Sequence, residues 1–196
     1  MTNQNIVLPS IALRGTTILP GMIIHFDVSR ERSVKAIEAA MLHDQKIFLI
    51  TQKDPEVESP SESEVYHVGT VGYIKQVVKL PQNLLRVLVE GTERALLVKF
   101  EQEFPYITSE ICPVDEQEEQ IPQPVAEAMT RSLKDLFHQY CMENGKISKE
   151  LVAQILNTGD IEELVEQISV NIPLSYENRQ KILEAVSLEE RYEVLG

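Results

Sequence analysis

The sequence predicts an α+β chain in two parts, a β-rich first part carrying one inserted helix and an all-helical second part. Three observations lead there. Short β-branched runs alternate with turn residues as far as Val114. Apolar residues recur at three- and four-residue spacing from Val125 onward. Between them Asp115 to Pro124 is acidic, carries Pro122 and Pro124 and has no periodicity, as a linker does. We therefore assign residues 1–117 to the β-rich subdomain and 118–196 to a helical bundle.

Ile11-Ala12-Leu13 and Ile23 to Val28 are short apolar strands, with Gly15, Pro20 and Gly21 as turn formers near them. Glu31 to His43 breaks the alternation. Val34, Ile37, Ala40 and Met41 fall on one helical face, and Ser29 is the expected N-cap. Lys46 to Thr51 reads as a buried strand, and Asp54 to Glu64, alternating Ser, Pro and Glu, as a solvated loop. Val68 to Leu80 is long and holds Gly69 and Gly72, which predicts a bent or bulged strand. Pro81-Gln82-Asn83 is a turn, and Leu84 to Glu90 the hairpin partner, with Leu85, Val87 and Val89 on one face. Gly91 to Glu93 reads as a further turn, followed by strands at Ala95–Phe104 and Tyr106–Val114. Strands at this spacing close into a small twisted barrel or stack as two sheets.

Pro124 suits a first helical turn. Val125, Met129, Leu133, Leu136, Phe137 and Tyr140 form one stripe that ends at Asn144-Gly145, a C-cap pair. A second helix spans about Ser148 to Leu156. Asp160 with Glu163 and Ser187 with Glu190 have capping-box spacing and open a third and a fifth helix. The fourth begins near Ser175 and carries Ile182, Leu183 and Val186. The fifth is still periodic at Leu195, which suggests a chain cut from something longer.

The composition suits a globular protein: 196 residues, 43% hydrophobic and 25% charged, with no Trp, so the core must be largely aliphatic. The net charge of −13 sits wholly in the second half: residues 1–100 carry 11 basic and 11 acidic residues, residues 101–196 carry 7 and 20. Such a surface repels phosphate backbones and anionic lipid, so neither nucleic acid nor membrane is an expected partner. Cys112 and Cys141 stand far apart and in no motif, which reads as free thiols in a reducing, cytoplasmic setting. Met1 to Pro9 has no basic segment followed by an apolar one, so it is not a signal peptide.

Catalytic and metal signatures are missing from the sequence. A phosphate loop needs glycines for backbone approach and a Lys for the phosphates, and Gly145-Lys146 has Tyr140 where the first Gly belongs. Gly69 and Gly72 precede no helix, so they form no dinucleotide fingerprint. His25, His43, His67 and His138 lie far apart and without ligand partners at metal spacing. Glu116, Glu118 and Glu119 lack the alternating-ligand loop that calcium requires. We assign no catalytic, cofactor-binding or metal residue, although a triad assembled by the fold would leave no local signature.

Several segments resemble the N-terminal domain of the Lon family of ATP-dependent serine proteases. They are Leu8-Pro9-Ser10-Ile11-Ala12-Leu13-Arg14, Ile18 through Ile24, Val28-Ser29-Arg30-Glu31-Arg32-Ser33, and Ala36 to Met41. The most specific is Val68-Gly69-Thr70-Val71 through Leu80-Pro81 to Arg86–Ala95. Ile172-Pro173-Leu174 and Glu189-Glu190-Arg191-Tyr192 extend the likeness into the helical part. Gly15-Thr16 stands where the family often has Asp, and Gly21 where many members have His. The resemblance implies a PUA-like β-barrel or two-sheet subdomain followed by a helical bundle, working in substrate recognition and oligomer assembly. It places the ATP and Mg²⁺ site and the Ser–Lys dyad in later domains, so no cofactor is expected in this chain. The implied partners are unfolded or degron-bearing proteins and further copies of the chain, a homohexamer in the full-length protein and a monomer or weak dimer for this part alone.

For the substrate-contacting surface we single out Ile18, Leu19, Pro20, Met22 and Ile23, an apolar stretch around a turn, which either stands exposed or packs into the barrel. If exposed, charged substitutions at Leu19 and Met22 weaken binding of an unfolded substrate and leave the fold intact. The competing readings are a stand-alone substrate-binding protein, an RNA-binding PUA-like module, which the −13 charge disfavours, and an unrecognised hydrolase.

Overall fold

The computed structural model describes residues 4–114, 121–185 and 187–196. Most of the expected linker, residues 115–120, lies outside the described residues, as does Val186. In order the elements are β1 (Ile6–Leu13), β2 (Ile23–Val28), α1 (Glu31–Met41), β3 (Lys46–Thr51), a 3-10 turn (Glu62–Glu64), β4 (Val68–Leu80), β5 (Leu84–Gln102), β6 (Ile107–Pro113), α2 (Gln123–Asn144), α3 (Lys149–Leu156), α4 (Ile161–Asn171), α5 (Tyr176–Glu184) and α6 (Leu188–Leu195). They form two units, Met1–Asp115 with Ser175–Leu183, and Glu116–Leu174 with Glu184–Gly196.

In the first unit the strands run β2-β5-β4-β3-β1-β6, and a further β5–β6 pairing closes β1, β3, β4, β5 and β6 into a ring. The closure resolves the sequence alternative in favour of a barrel. It depends on the length of β5, whose first half pairs with β4 and whose second half, from Ala95, pairs with β6. β1 and β3 are parallel, with Ser10 opposite Phe48 and Leu13 opposite Thr51. Parallel neighbours need a long crossover, and the segment holding β2 and α1 supplies it. Leu8, Ala12, Phe48, Ile50, Val65, Val71, Ala95, Leu97 and Ile111 fill the interior. Helix α1 buries Ala36, Ile37 and Ala40 against β1, β3 and β6.

Two local expectations change. The turn expected at Gly91–Glu93 is continuous strand. Thr92 is an extra residue between the Val71–Glu93 and Gly72–Gly91 pairs, a bulge that bends β5 without ending it. Gly91 is required by close approach: its N–H donates to the Met22 carbonyl at 2.8 Å, its carbonyl accepts from Gly21 N–H at 2.9 Å, and a Cβ there would collide with the Leu19 carbonyl. The second change is at α1. Its N-cap is Arg30, with extended backbone and no side-chain cap, one residue later than Ser29.

Helix α5, expected in the bundle, belongs with the strands instead. Gln180 Nε2 donates to the Val68 carbonyl at 3.0 Å, and Arg94 Nε donates to the Leu183 carbonyl at 3.1 Å. Thr17 Oγ1 donates to the Tyr176 carbonyl at 3.2 Å.

The second unit packs Leu133, Phe137, Ile155, Ile161, Leu164, Val165, Ile168 and Leu188 into one core. Leu133 and Phe137 are the buried members of the α2 stripe, while Val125 and Leu136 stand exposed. Gly145 ends α2 with left-handed backbone, φ 52°. Ser148 Oγ accepts from Leu151 N–H, Asp160 Oδ1 from Glu162 N–H and Ser187 Oγ from Glu190 N–H, each satisfying one orphan amide of its helix.

Candidate functional site

The apolar stretch singled out from the sequence is brought together, but inward. Ile18 and Leu19 are 2% exposed and Met22 is 6% exposed. Thr70 Oγ1 donates to the Ile18 carbonyl at 2.6 Å, and Met22 N–H donates to the Leu19 carbonyl at 3.1 Å. The segment is thus a plug seated on β4 and β5, and a charge at Leu19 or Met22 would enter the core. Pro20 is half-buried, and Ile23 alone of the five is prominently exposed, at 58%.

Ile23 opens β2, and β2 defines a different surface. Among the described residues β2 pairs with β5 alone, so its outer edge has no strand partner. Three strands, β2, the start of β5 and the end of β4, form a ribbon beyond the barrel. Cross-strand partners share a face, so the register sorts the side chains. On one face Val28, Leu85, Val87, Val89 and Ile74 are buried. On the other lie three rows: Ile23–Glu90–Tyr73, His25–Leu88–Gln76 and Asp27–Arg86–Val78. Tyr73 is 38% and Val78 41% exposed, and Leu88 is half-buried.

The charges on this face are paired. Arg86 Nε and Nη2 donate to Asp27 Oδ1 and Oδ2 at 2.9 and 3.1 Å, a bidentate fork. The hydrogen bond from Arg86 holds the Asp27 carboxyl below the usual carboxylate range; desolvation opposes it, and the charges of Arg86 and His25 add smaller contributions in the same direction as the hydrogen bond. Lys75 Nζ lies 3.1 Å from Glu90 Oε2. With its charges matched pairwise, the face offers apolar side chains and a backbone edge without a strong net field. Extended peptides bind such surfaces by strand addition, with backbone hydrogen bonds for affinity and alternate side chains for selectivity.

The sequence reading found the buried face of this ribbon and missed the exposed one. A signal existed: Leu84 and Leu88 occupy positions that alternate with Leu85, Val87 and Val89, where a solvated face would be polar throughout.

Among the described residues no three His, Cys, Asp or Glu side chains stand where they could hold a metal ion. Cys112 and Cys141 are free thiols, and burial pushes the Cys141 thiol up. Among the described residues no helix is long and apolar enough to cross a membrane.

A closed β-barrel with one inserted helix, an open-edged ribbon and a separate helical unit define a binding module. Residues 7–195 match the family model of the ATP-dependent protease La (LON) substrate-binding domain, and the chain belongs to that family. It is 44% identical over 188 residues to the Lon protease of Lachnoclostridium phytofermentans, covering 96% of this chain and 23% of that relative. It is 38% identical over 184 residues to Lon protease 1 of Bacillus subtilis, covering 94% and 24%. The chain thus spans about a quarter of the length of the curated relatives it matches. The fold is shared with the N-terminal domain of Mycobacterium avium complex Lon protease, with a TM-score of 0.74 at 19% identity over 96% of this chain and 95% of that one. It is also shared with a Lon N-terminal domain protein from Xanthomonas campestris, with a TM-score of 0.65 at 14% identity over the same shares of the two chains.

Proposed function

We propose that this chain is the recognition part of a cytoplasmic, ATP-dependent serine protease of the Lon type, and that it holds unfolded or degron-bearing polypeptides for the rest of that protein. ATP hydrolysis with Mg²⁺ and peptide-bond cleavage belong to other domains of the longer protein, as does most of the drive to assemble a homohexamer. The family match over residues 7–195 supports the class of activity.

The observation that carries the mechanism is the open edge of β2 beside Ile23, Tyr73 and Leu88. Folding hides two things that an unfolded chain still shows: apolar side chains and unpaired backbone amides. The ribbon can bind both at once. An extended segment pairing with β2 would gain backbone hydrogen bonds whatever its sequence, and alternate side chains would settle near Ile23 and Leu88.

The test is binding of a permanently unfolded, carboxymethylated protein, followed by fluorescence anisotropy. Ile23→Asp combined with Tyr73→Asp should keep the thermal unfolding midpoint and weaken affinity about tenfold, which is ~1.4 kcal/mol. Unchanged affinity in the folded double variant would remove the ribbon from the mechanism.

A further inference from the structure

A cavity of about 530 Å³ lies on the barrel unit, between the start of α1, the loop at Glu58 and Ser59, and Phe104–Pro105. Its size is that of a small-molecule site. Arg14, Arg30, Arg32 and Lys35 line it, with Ser29, Ser33 and Ser59 among them. We propose that this cavity binds a phosphoryl group, free or as a phosphate monoester.

Four features point the same way. The first is the uncapped start of α1, an 11-residue helix whose Arg30 N-cap supplies no side-chain acceptor. The N–H groups of Glu31, Arg32 and Ser33 have no hydrogen-bond partner among the described residues. Free first-turn amides at the positive end of a helix favour an anion. The second is Ser33. It lines the cavity and is only 7% exposed, and its hydroxyl has no partner among the described residues. The hydroxyl oxygen keeps accessible surface, so it is open to the cavity and free to donate to a ligand oxygen.

The third feature is how the arginines are held. Arg30 donates to Gln52 Oε1 at 2.8 Å, to the Glu58 carbonyl at 3.0 Å and to the Ala12 carbonyl. Arg32 donates to the Glu103 and Pro60 carbonyls and lies 5.1 Å from the Phe104 ring centroid. Both guanidiniums are fixed by neutral acceptors, so their charge is placed but not cancelled. Arg30 shows the strain of this. Burial, then the charges of Arg14 and Arg32, lowers its pKa to about 10 against a smaller opposing pull from Glu58.

The fourth is the balance of donors and acceptors. The lining carboxylates are Glu31 and Glu58. Glu31 is already paired with Lys35 at 2.9 Å, and its side chain is 81% exposed. Three amides, three hydroxyls and two fixed guanidiniums exceed what the two oxygens of a carboxylate can accept, and suit a dianion with three or four.

This inference stands apart from the ribbon, which lies on other strands. The test titrates inorganic phosphate into the 196-residue chain at constant ionic strength and follows backbone amide resonances by heteronuclear NMR. Saturable shifts at Glu31, Arg32 and Ser33, weakened at least fivefold in Arg14→Gln with Ser33→Ala, are the expected result. Arg32→Gln serves as a second variant if that pair fails to fold, and should weaken binding similarly. A phosphoserine peptide that binds more tightly than inorganic phosphate keeps the site and assigns its ligand to phosphorylated chains. Equal affinity keeps the site and assigns it to the free ion. Acetate saturating the same amides as well as phosphate does overturns the proposal. Non-saturating shifts, or shifts unchanged in folded variants, overturn it too.

Discussion

Leu19 and Gly91 show how one contact can decide the role of a whole segment. The loop before β2 is apolar enough to pass for an exposed patch, yet Gly91 lets it lie directly on β5, with hydrogen bonds from both sides of the glycine. Two consequences are measurable by chemical denaturation. Leu19→Asp should cost ~3 kcal/mol or more, because it buries an unpaired carboxylate. Any loss of substrate binding in that variant would follow unfolding, the reverse of what an exposed patch implies. Gly91→Ala should cost ~1–3 kcal/mol, since the added methyl must displace the Leu19 backbone rather than a flexible side chain. Wild-type stability in either variant would show that the plug is not seated as described.

At the scale of elements, most of the architecture was legible because its signals are local. Alternation located the strands, and apolar spacing with capping signals located α1 to α6. The Asn144-Gly145 stop of α2 follows from the left-handed backbone that glycine tolerates. What was not legible depends on distant partners. Gly91 reads as a turn from its neighbours and becomes strand because the Leu19 carbonyl lies against it. Helix α5 has an apolar pair, Ile182-Leu183, like any bundle helix, and its membership in the barrel unit rests on Gln180 and Arg94 bonds to backbone carbonyls far away in sequence. Closure of the barrel likewise needs the β5–β6 register, which no window of sequence contains. The candidate site was legible only at Ile23. Tyr73, Leu88 and Val78 join it through cross-strand pairing, which places residues dozens of positions apart on one face.

At the scale of the molecule, the acidic second half and the balanced first half suit a division of labour in which binding surfaces lie on the β-rich unit. The proposal leaves most of the drive for assembly to other domains, which makes the self-association of these residues a test of it. Sedimentation equilibrium should return a monomer or a dimer that dissociates in the micromolar range, and a stable hexamer would mean that the assembly surface lies within these 196 residues. The central claim is that unfolded polypeptide is held at the open edge of β2. Its most direct test is photo-crosslinking of a carboxymethylated unfolded protein to the chain, with the crosslinked residues mapped by mass spectrometry. The account predicts crosslinks concentrated in residues 23–27, 73–78 and 84–90, and lost in Ile23→Asp with Tyr73→Asp. Crosslinks concentrated on α2, α3 and α4, or a ribbon pattern that survives those substitutions unchanged, would contradict it.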